Sequence, residues 1–269
     1  MFKSSTDLLF SGSSLIYENG KLLGENNRFE FNSNLIYGDI DIKRLINDRR
    51  KNTSFISNND KEYRNVYFIT SKNNSISRKY NKYPFVPSNE EKREERCKEI
   101  INIQSSALAK RLKHTNIKKC VVGVSGGLDS TLAFLVIKQA FEKLKIDNKN
   151  IIAVTMPGFG TTDRTYKNAI DLIKINDATL IEVDIKKACL VHYSDIGQDI
   201  NKHDITYENA QARERTKILM DIANKENALV IGTGDLSELA LGWCTYNGDH
   251  MSMYSVNSSI PKTLVKYLV

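Results

Sequence analysis

Residues Ser125-Gly126-Gly127-Leu128-Asp129-Ser130 set two glycines, two hydroxyls and one acid side by side, a combination suited to phosphate chemistry. Paired glycines let a backbone turn tightly enough to aim successive N–H groups at one point. If a helix begins there, the positive end of its dipole adds to the attraction for an anion. Asp129 then stands at the mouth of an anion site, where repulsion is costly unless a cation such as Mg²⁺ bridges acid and phosphate. The spacing is neither Gly-x-x-x-x-Gly-Lys-Ser/Thr nor Gly-x-Gly-x-x-Gly, so the loop is of neither the Walker nor the dinucleotide kind. Taken alone, the same residues also suit an ordinary turn with Asp129 as a helix cap.

A second candidate stretch reads Gly232-Thr233-Gly234-Asp235-Leu236-Ser237-Glu238. Thr233 directly follows an apolar run, so its hydroxyl and amide can reach a nucleotide lying across a sheet. Glu238, in the short helix that follows, can point back into the same crevice and complete a Mg²⁺ site with Asp129. The plainer alternative is a capped surface helix with Glu238 solvated. No Ser-His-Asp or Cys-His set competes. His250 has no neighbouring nucleophile and is read as structural.

These loops need elements to position them. Cys120 to Val124 is an unbroken apolar run suited to a strand buried on both faces, and from Thr131 the apolar residues recur at helical spacing to Leu144. Further strands are expected at Ile151–Met156, Thr179–Val183 and Ala228–Ile231. Helices are expected from Ser88 to about Leu112, after Thr162 to about Ile175, at Ile185–Ile196 and at Tyr207–Ala223. This alternation predicts an α/β fold with a doubly wound parallel sheet, whose ligands gather at the carboxyl ends of the strands. Upstream, Asn19-Gly20 between apolar segments predicts a hairpin. Phe29–Phe31 and Asn34–Ile42 read as further strands and Lys43–Arg50 as a short helix, while 51–87 reads as a polar linker with one strand at Val66–Thr70.

Composition narrows the function classes. The chain has 269 residues, 41% hydrophobic, with a formal charge of +7. The basic residues are scattered among acids rather than gathered into a stripe with aromatics, which argues against nucleic acid and for a small anionic substrate. No run approaches the ~18 apolar residues of a membrane span, and the start lacks a signal-peptide core. Cys97, Cys120, Cys189 and Cys244 form no metal-ligand spacing with the four histidines. A cytoplasmic protein with reduced thiols is expected.

Ser125 to Ser130 after a buried strand resembles the pyrophosphatase loop of the N-type ATP pyrophosphatases (PP-loop enzymes), which cleave ATP between its α and β phosphates. Three longer stretches, Met156–Thr162, Glu208–Arg215 and Gly232–Asn257, resemble the glutamine-dependent NAD synthetases, and the similarity runs through nearly the whole chain. The resemblance implies a Rossmann-like fold and ATP-dependent amidation of deamido-NAD through an NAD-adenylate. It implies Gly123, Val124, Ser125, Gly126, Gly127, Leu128, Asp129, Ser130 and Thr233 at ATP, with Asp129 and Glu238 as catalytic and Mg²⁺-binding acids. Asn209, Arg213, Glu238, Trp243 and Asp249 would meet deamido-NAD. Residues 1–50 resemble the end of a nitrilase-like glutaminase domain, whose catalytic residues would lie upstream of Met1. Residues 88–269 would be the synthetase domain, lacking a family lysine expected beyond Val269. Ammonia, drawn from glutamine, would be the nitrogen donor, and a homo-oligomer the assembly. A non-catalytic nucleotide-binding fragment and a tRNA-modifying PP-loop enzyme are the alternatives.

Overall fold

The computed structural model describes residues 12–28, 32–52, 54, 64–69 and 80–269. The chain divides into two compact units, Met1–Lys82 and Tyr83–Val269. In the first, β1 (Leu15–Glu18) and β2 (Lys21–Glu25) form the expected antiparallel hairpin. Its turn residues Asn19 and Gly20 take φ of 47° and 74°, the left-handed pair that fits the twist of a two-residue hairpin. α1 (Ile42–Lys51) follows, capped by Asp41, whose side chain accepts from Arg44 N at 3.0 Å.

Two expectations in this unit are corrected. Asn34–Ile42 does not join the hairpin. Its Leu35 and Tyr37 are exposed, so no burial drives strand formation, and Asp41 is taken by the helix cap. Residues 64–69 likewise form no strand, and Val66 to Ile69 all lie open to solvent. The strand expected at Phe29–Phe31, and Thr70, fall outside the described residues.

The second unit carries, among the described residues, a five-stranded sheet of order β5-β4-β3-β6-β7 with every neighbouring pair parallel. Its strands are β3 (Cys120–Gly123), β4 (Ile151–Thr155), β5 (Thr179–Glu182), β6 (Leu229–Gly232) and the short β7 (Tyr254–Ser255). Around it lie α2 (Glu90–Thr115), α3 (Leu128–Leu144), α4 (Asp163–Ile175), α5 (Lys186–Ile196), α6 (Ile205–Glu226), α7 (Leu236–Leu241) and α8 (Lys262–Leu268). The sequence pattern missed β7 and α8, which are too short to show a period.

The alternation of side chains along each strand divides the core into two layers. Cys120, Val122, Ala153, Leu229 and Ile231 pack with α2, α3 and α8, whereas Val121, Ile152, Val154 and Val230 pack with Leu219, Ile222 and Ala223 of α6. Both faces are covered, which is why the strands read as continuous apolar runs. The chain winds outward from β3 through β4 to β5, then returns on the other side of β3 as β6. The reversal opens a crevice at the carboxyl ends of β3 and β6.

Helix α3 holds the first loop against this core, and its Phe134 is wholly buried. Phe134→Ala should lower the unfolding free energy by about 3–5 kcal/mol in a urea titration followed by circular dichroism.

Candidate active site

Because β3 and β6 pair in parallel, with Cys120 opposite Leu229, the loops leaving their carboxyl ends lie side by side. They border a cleft of about 820 Å³ lined by Gly123, Val124, Ser125, Gly127, Asp129 and Ser130 from one side and Thr233, Gly234 and Glu238 from the other.

The glycine loop is tight. Gly126 takes φ of 80°, and a Cβ there would stand 2.0 Å from the carbonyl oxygen of Thr165 in the first turn of α4. Gly127 is the N-cap of α3 and supplies no side chain, so the helix start has no side-chain cap. The hydroxyls brace the loop from within: buried Ser130 donates from Oγ to Gly127 O at 3.0 Å, and Ser125 Oγ accepts from Gly127 N at 3.3 Å. Leu128 is exposed. Asp129 lies in the first turn of α3 but does not cap it.

Across the cleft, Asp235 and Glu238 form a reciprocal capping box at the start of α7. Asp235 Oδ1 accepts from Glu238 N at 2.9 Å, and Glu238 Oε2 accepts from Asp235 N at 3.1 Å. One oxygen of each carboxylate is therefore fixed to backbone, and the other is left for the crevice. Asp129, Asp235 and Glu238 come together with carboxylate oxygens within 4.8 Å of one another. Asp129 and Glu238, far apart in sequence, thus meet as expected of a shared site.

Lys262, at the start of α8, enters this cluster. Its Nζ lies 2.5 Å from Asp129 Oδ2, 3.2 Å from Asp235 Oδ2 and 3.7 Å from Glu238 Oε1. Asp235 Oδ2 is buried without an aligned hydrogen bond, so its contact with Nζ is an ion pair only. Desolvation is the largest influence on the ammonium and works against its charge. The hydrogen bond and charge of Asp129, and then Asp235, outweigh it together and hold Lys262 above the ordinary lysine pKa.

Asn257 ties the two loops together. Wholly buried, it donates from Nδ2 to Asp129 O at 3.0 Å and to Thr233 O at 3.2 Å, while Gln104 Nε2 of α2 donates to its Oδ1 at 3.3 Å.

The residues that the resemblance assigns to deamido-NAD divide into two groups. Glu238, Asp249 and the largely exposed Trp243 line the cleft. Asn209 and Arg213 grip the loop after α7 instead: Asn209 Oδ1 accepts from Thr245 Oγ1 at 2.8 Å, and Arg213 Nε donates to Tyr246 O at 3.0 Å. Asp249 Oδ1 accepts from Thr245 N at 2.6 Å, and His250 Nδ1 lies 2.7 Å from Thr245 O.

Sequence reasoning passed over Asp235, Asn257, Lys262 and Arg215, an arginine that lines the cleft. Arg215 Nε donates to Met156 O at 3.3 Å, and burial pulls its guanidinium below the ordinary arginine pKa. The capping-box pattern Asp235-x-x-Glu238 was the available signal for Asp235.

The chain and its fold have counterparts. The glutamine-dependent NAD(+) synthetase of Mycobacterium leprae is 38% identical over 281 aligned residues, taking in 99% of this chain and 41% of the relative. The chain therefore spans about two fifths of that relative's length. Among solved structures, the NH3-dependent NAD synthetase of Campylobacter jejuni, in complex with the nitrate ion, has a TM-score of 0.57 at 26% identity, covering 64% of this chain and 71% of that one. The glutamine-dependent NAD+ synthetase of Acinetobacter baumannii, in complex with adenosine diphosphate, shares the fold with a TM-score of 0.60 at 23% identity, over 97% of this chain and 42% of that one. The family model for NAD synthase matches residues 100–269, a stretch that contains every strand of the parallel sheet and both loops of the cleft, and the chain belongs to that family.

Proposed function

We propose that residues 88–269 act as the synthetase domain of an NAD synthetase, converting deamido-NAD to its amide at the expense of ATP. The observation that carries this reading is the meeting of an uncapped helix start with Asp129 and Glu238, acids in the first turns of α3 and α7, at the reversal point of the sheet. Gly123 to Ser130 and Thr233 would hold the triphosphate. The nicotinic carboxylate would form a bond to the α phosphorus while the bond to pyrophosphate breaks. Ammonia would then attack the acyl carbon, AMP would leave and a proton would be lost.

No general base is needed for the first step, because a carboxylate nucleophile is already ionised at neutral pH. The chain's contribution would be orientation and charge stabilisation at the cleft, with backbone amides facing the developing negative charge.

The donor set fits Mg²⁺: Asp129 and Glu238 offer hard carboxylate oxygens, and Asp129 Oδ1 is buried without a hydrogen-bond partner. Mg²⁺ bound there would supply charge neutralisation at the triphosphate and its leaving pyrophosphate. Residues 1–50 would be the end of a nitrilase-like glutaminase domain and 51–87 a linker, with ammonia, free or drawn from glutamine, as the nitrogen donor. Among the described residues no helix is long and apolar enough to cross a membrane. We assign the chain to the cytoplasm and to a homo-oligomer on the family resemblance.

The chain should form NAD, AMP and pyrophosphate from deamido-NAD, ATP and Mg²⁺ when ammonium is supplied. Absence of NAD with ammonium would refute the assignment. Asp129→Asn should slow pyrophosphate release by about 100-fold or more without changing the far-ultraviolet circular dichroism spectrum. Gly126→Ala forces a side chain into both a left-handed backbone and the Thr165 carbonyl. The strain, about 1–3 kcal/mol, should weaken Mg·ATP binding by roughly tenfold or more in isothermal titration.

A further inference from the structure

Asp235 is 0% exposed, yet its Oδ2 has no hydrogen bond. A carboxylate in that condition is costly unless a cation satisfies it. Its Oδ1 is occupied by the capping box, so the free oxygen cannot turn away without breaking the start of α7. The same box fixes Glu238 Oε2 and leaves Oε1 facing the cluster. Asp129 brings the third oxygen from the other side of the crevice.

Against these three carboxylates stands, among the described residues, the one ammonium of Lys262. Formally the cluster keeps an excess of two negative charges, which a divalent cation would cancel and an ammonium only lowers. The oxygens around Nζ are all hard carboxylate donors, the type that Mg²⁺ and Mn²⁺ accept.

Lys262 is anchored at its backbone and free at its tip. Its N–H donates to Ser237 Oγ at 3.0 Å, and Leu264, Val265 and Leu268 bury α8 in the core. The side chain is 51% exposed, so the ammonium can withdraw into solvent without moving the helix.

We propose that Asp235 is a third oxygen ligand of a divalent-cation site with Asp129 and Glu238, and that Lys262 occupies this site in the free protein as a stand-in cation that must withdraw when the metal enters. The inference deepens the function proposed above, which assigned the metal to Asp129 and Glu238 alone. Lys262 keeps the acids from repelling one another while the site is vacant of metal, and it sets a competition that weakens metal binding in the absence of nucleotide. It is a positioning residue for the cluster, not a ligand of the metal.

The test is Mn²⁺ binding to the nucleotide-free chain, read by electron paramagnetic resonance of the unbound ion. Lys262→Met should tighten Mn²⁺ binding by about tenfold, the effect of removing a competing charge from a partly exposed ion pair. Asp235→Asn keeps Oδ1 for the capping box and should weaken binding by about tenfold, in the parent chain and in the Lys262→Met background alike. Mn²⁺ should also raise the melting temperature of Lys262→Met more than that of the parent. If Lys262→Met does not fold, Lys262→Gln serves the same purpose with a polar tip. Unchanged or weaker binding when the lysine charge is removed would overturn the stand-in role, and unchanged binding in Asp235→Asn would overturn the third ligand. Because no deamido-NAD or ATP is present, these outcomes are independent of the ammonium-dependent assay. A chain that binds Mn²⁺ as described but makes no NAD would sink the functional reading and leave this site standing.

Discussion

Three carboxylates brought within reach of one small cation are the constraint on which the rest of the cleft depends. Like charges at this spacing repel by several kcal/mol at the effective dielectric of a partly buried site, so such a cluster persists only if rigid structure forces it and positive charge relieves it. Rigidity comes from both sides. Asp129 rides on the first turn of α3, whose Phe134 and Ile137 are wholly buried, and the Asp235–Glu238 box is tied to backbone at both ends. Relief comes from Lys262, 133 residues away from Asp129 in the chain.

The parallel sheet is what makes such a meeting possible. Adjacent parallel strands expose their carboxyl ends on the same edge, so β3 and β6 deliver a glycine loop and an acid-bearing turn to neighbouring positions with no special arrangement of either. Each loop is held by its strand and by the helix that follows it. Asn257 adds a direct tie between them by bonding one carbonyl from each, and Gln104 fixes Asn257 from α2. The distance between Asp129 and Glu238 is therefore set by a buried amide network as well as by the strands. Such a network resists motion, since any member that moves leaves a buried polar group unpaired.

The sequence made the sheet legible because both of its faces are covered: strands buried on two sides show as apolar runs, and the helices between them show one apolar face. The glycine loop was legible because its residue types have few other uses at a strand-to-helix turn. Lys262 and Asn257 were not, because their roles exist only across 133 and 128 residues of separation, and no local pattern marks them. β7 and α8 escaped notice for lack of length. The strand expected at Asn34–Ile42 failed for the opposite reason, since a plausible apolar pattern with Leu35 and Tyr37 exposed has no buried surface to stabilise it, and Asp41 gains more as a helix cap.

The loop after α7 shows how one set of residues can be assigned two roles. Asn209 and Arg213 lie four residues apart on α6, on one helical face, and both bind Thr245 or Tyr246. Asp249 and His250 close the same loop from its far end through Thr245. These bonds fix the loop that carries Trp243 and Asp249 along the cleft wall, so Asn209 and Arg213 shape the cleft before any substrate arrives. A direct contact from either side chain to a ligand in the cleft would require a polar atom not already used by the loop. Arg213 has such atoms, since its Nη groups remain when Nε bonds Tyr246 O; Asn209 has its Nδ2, since Oδ1 is taken by Thr245. Both side chains therefore keep polar atoms to spare while they hold the wall.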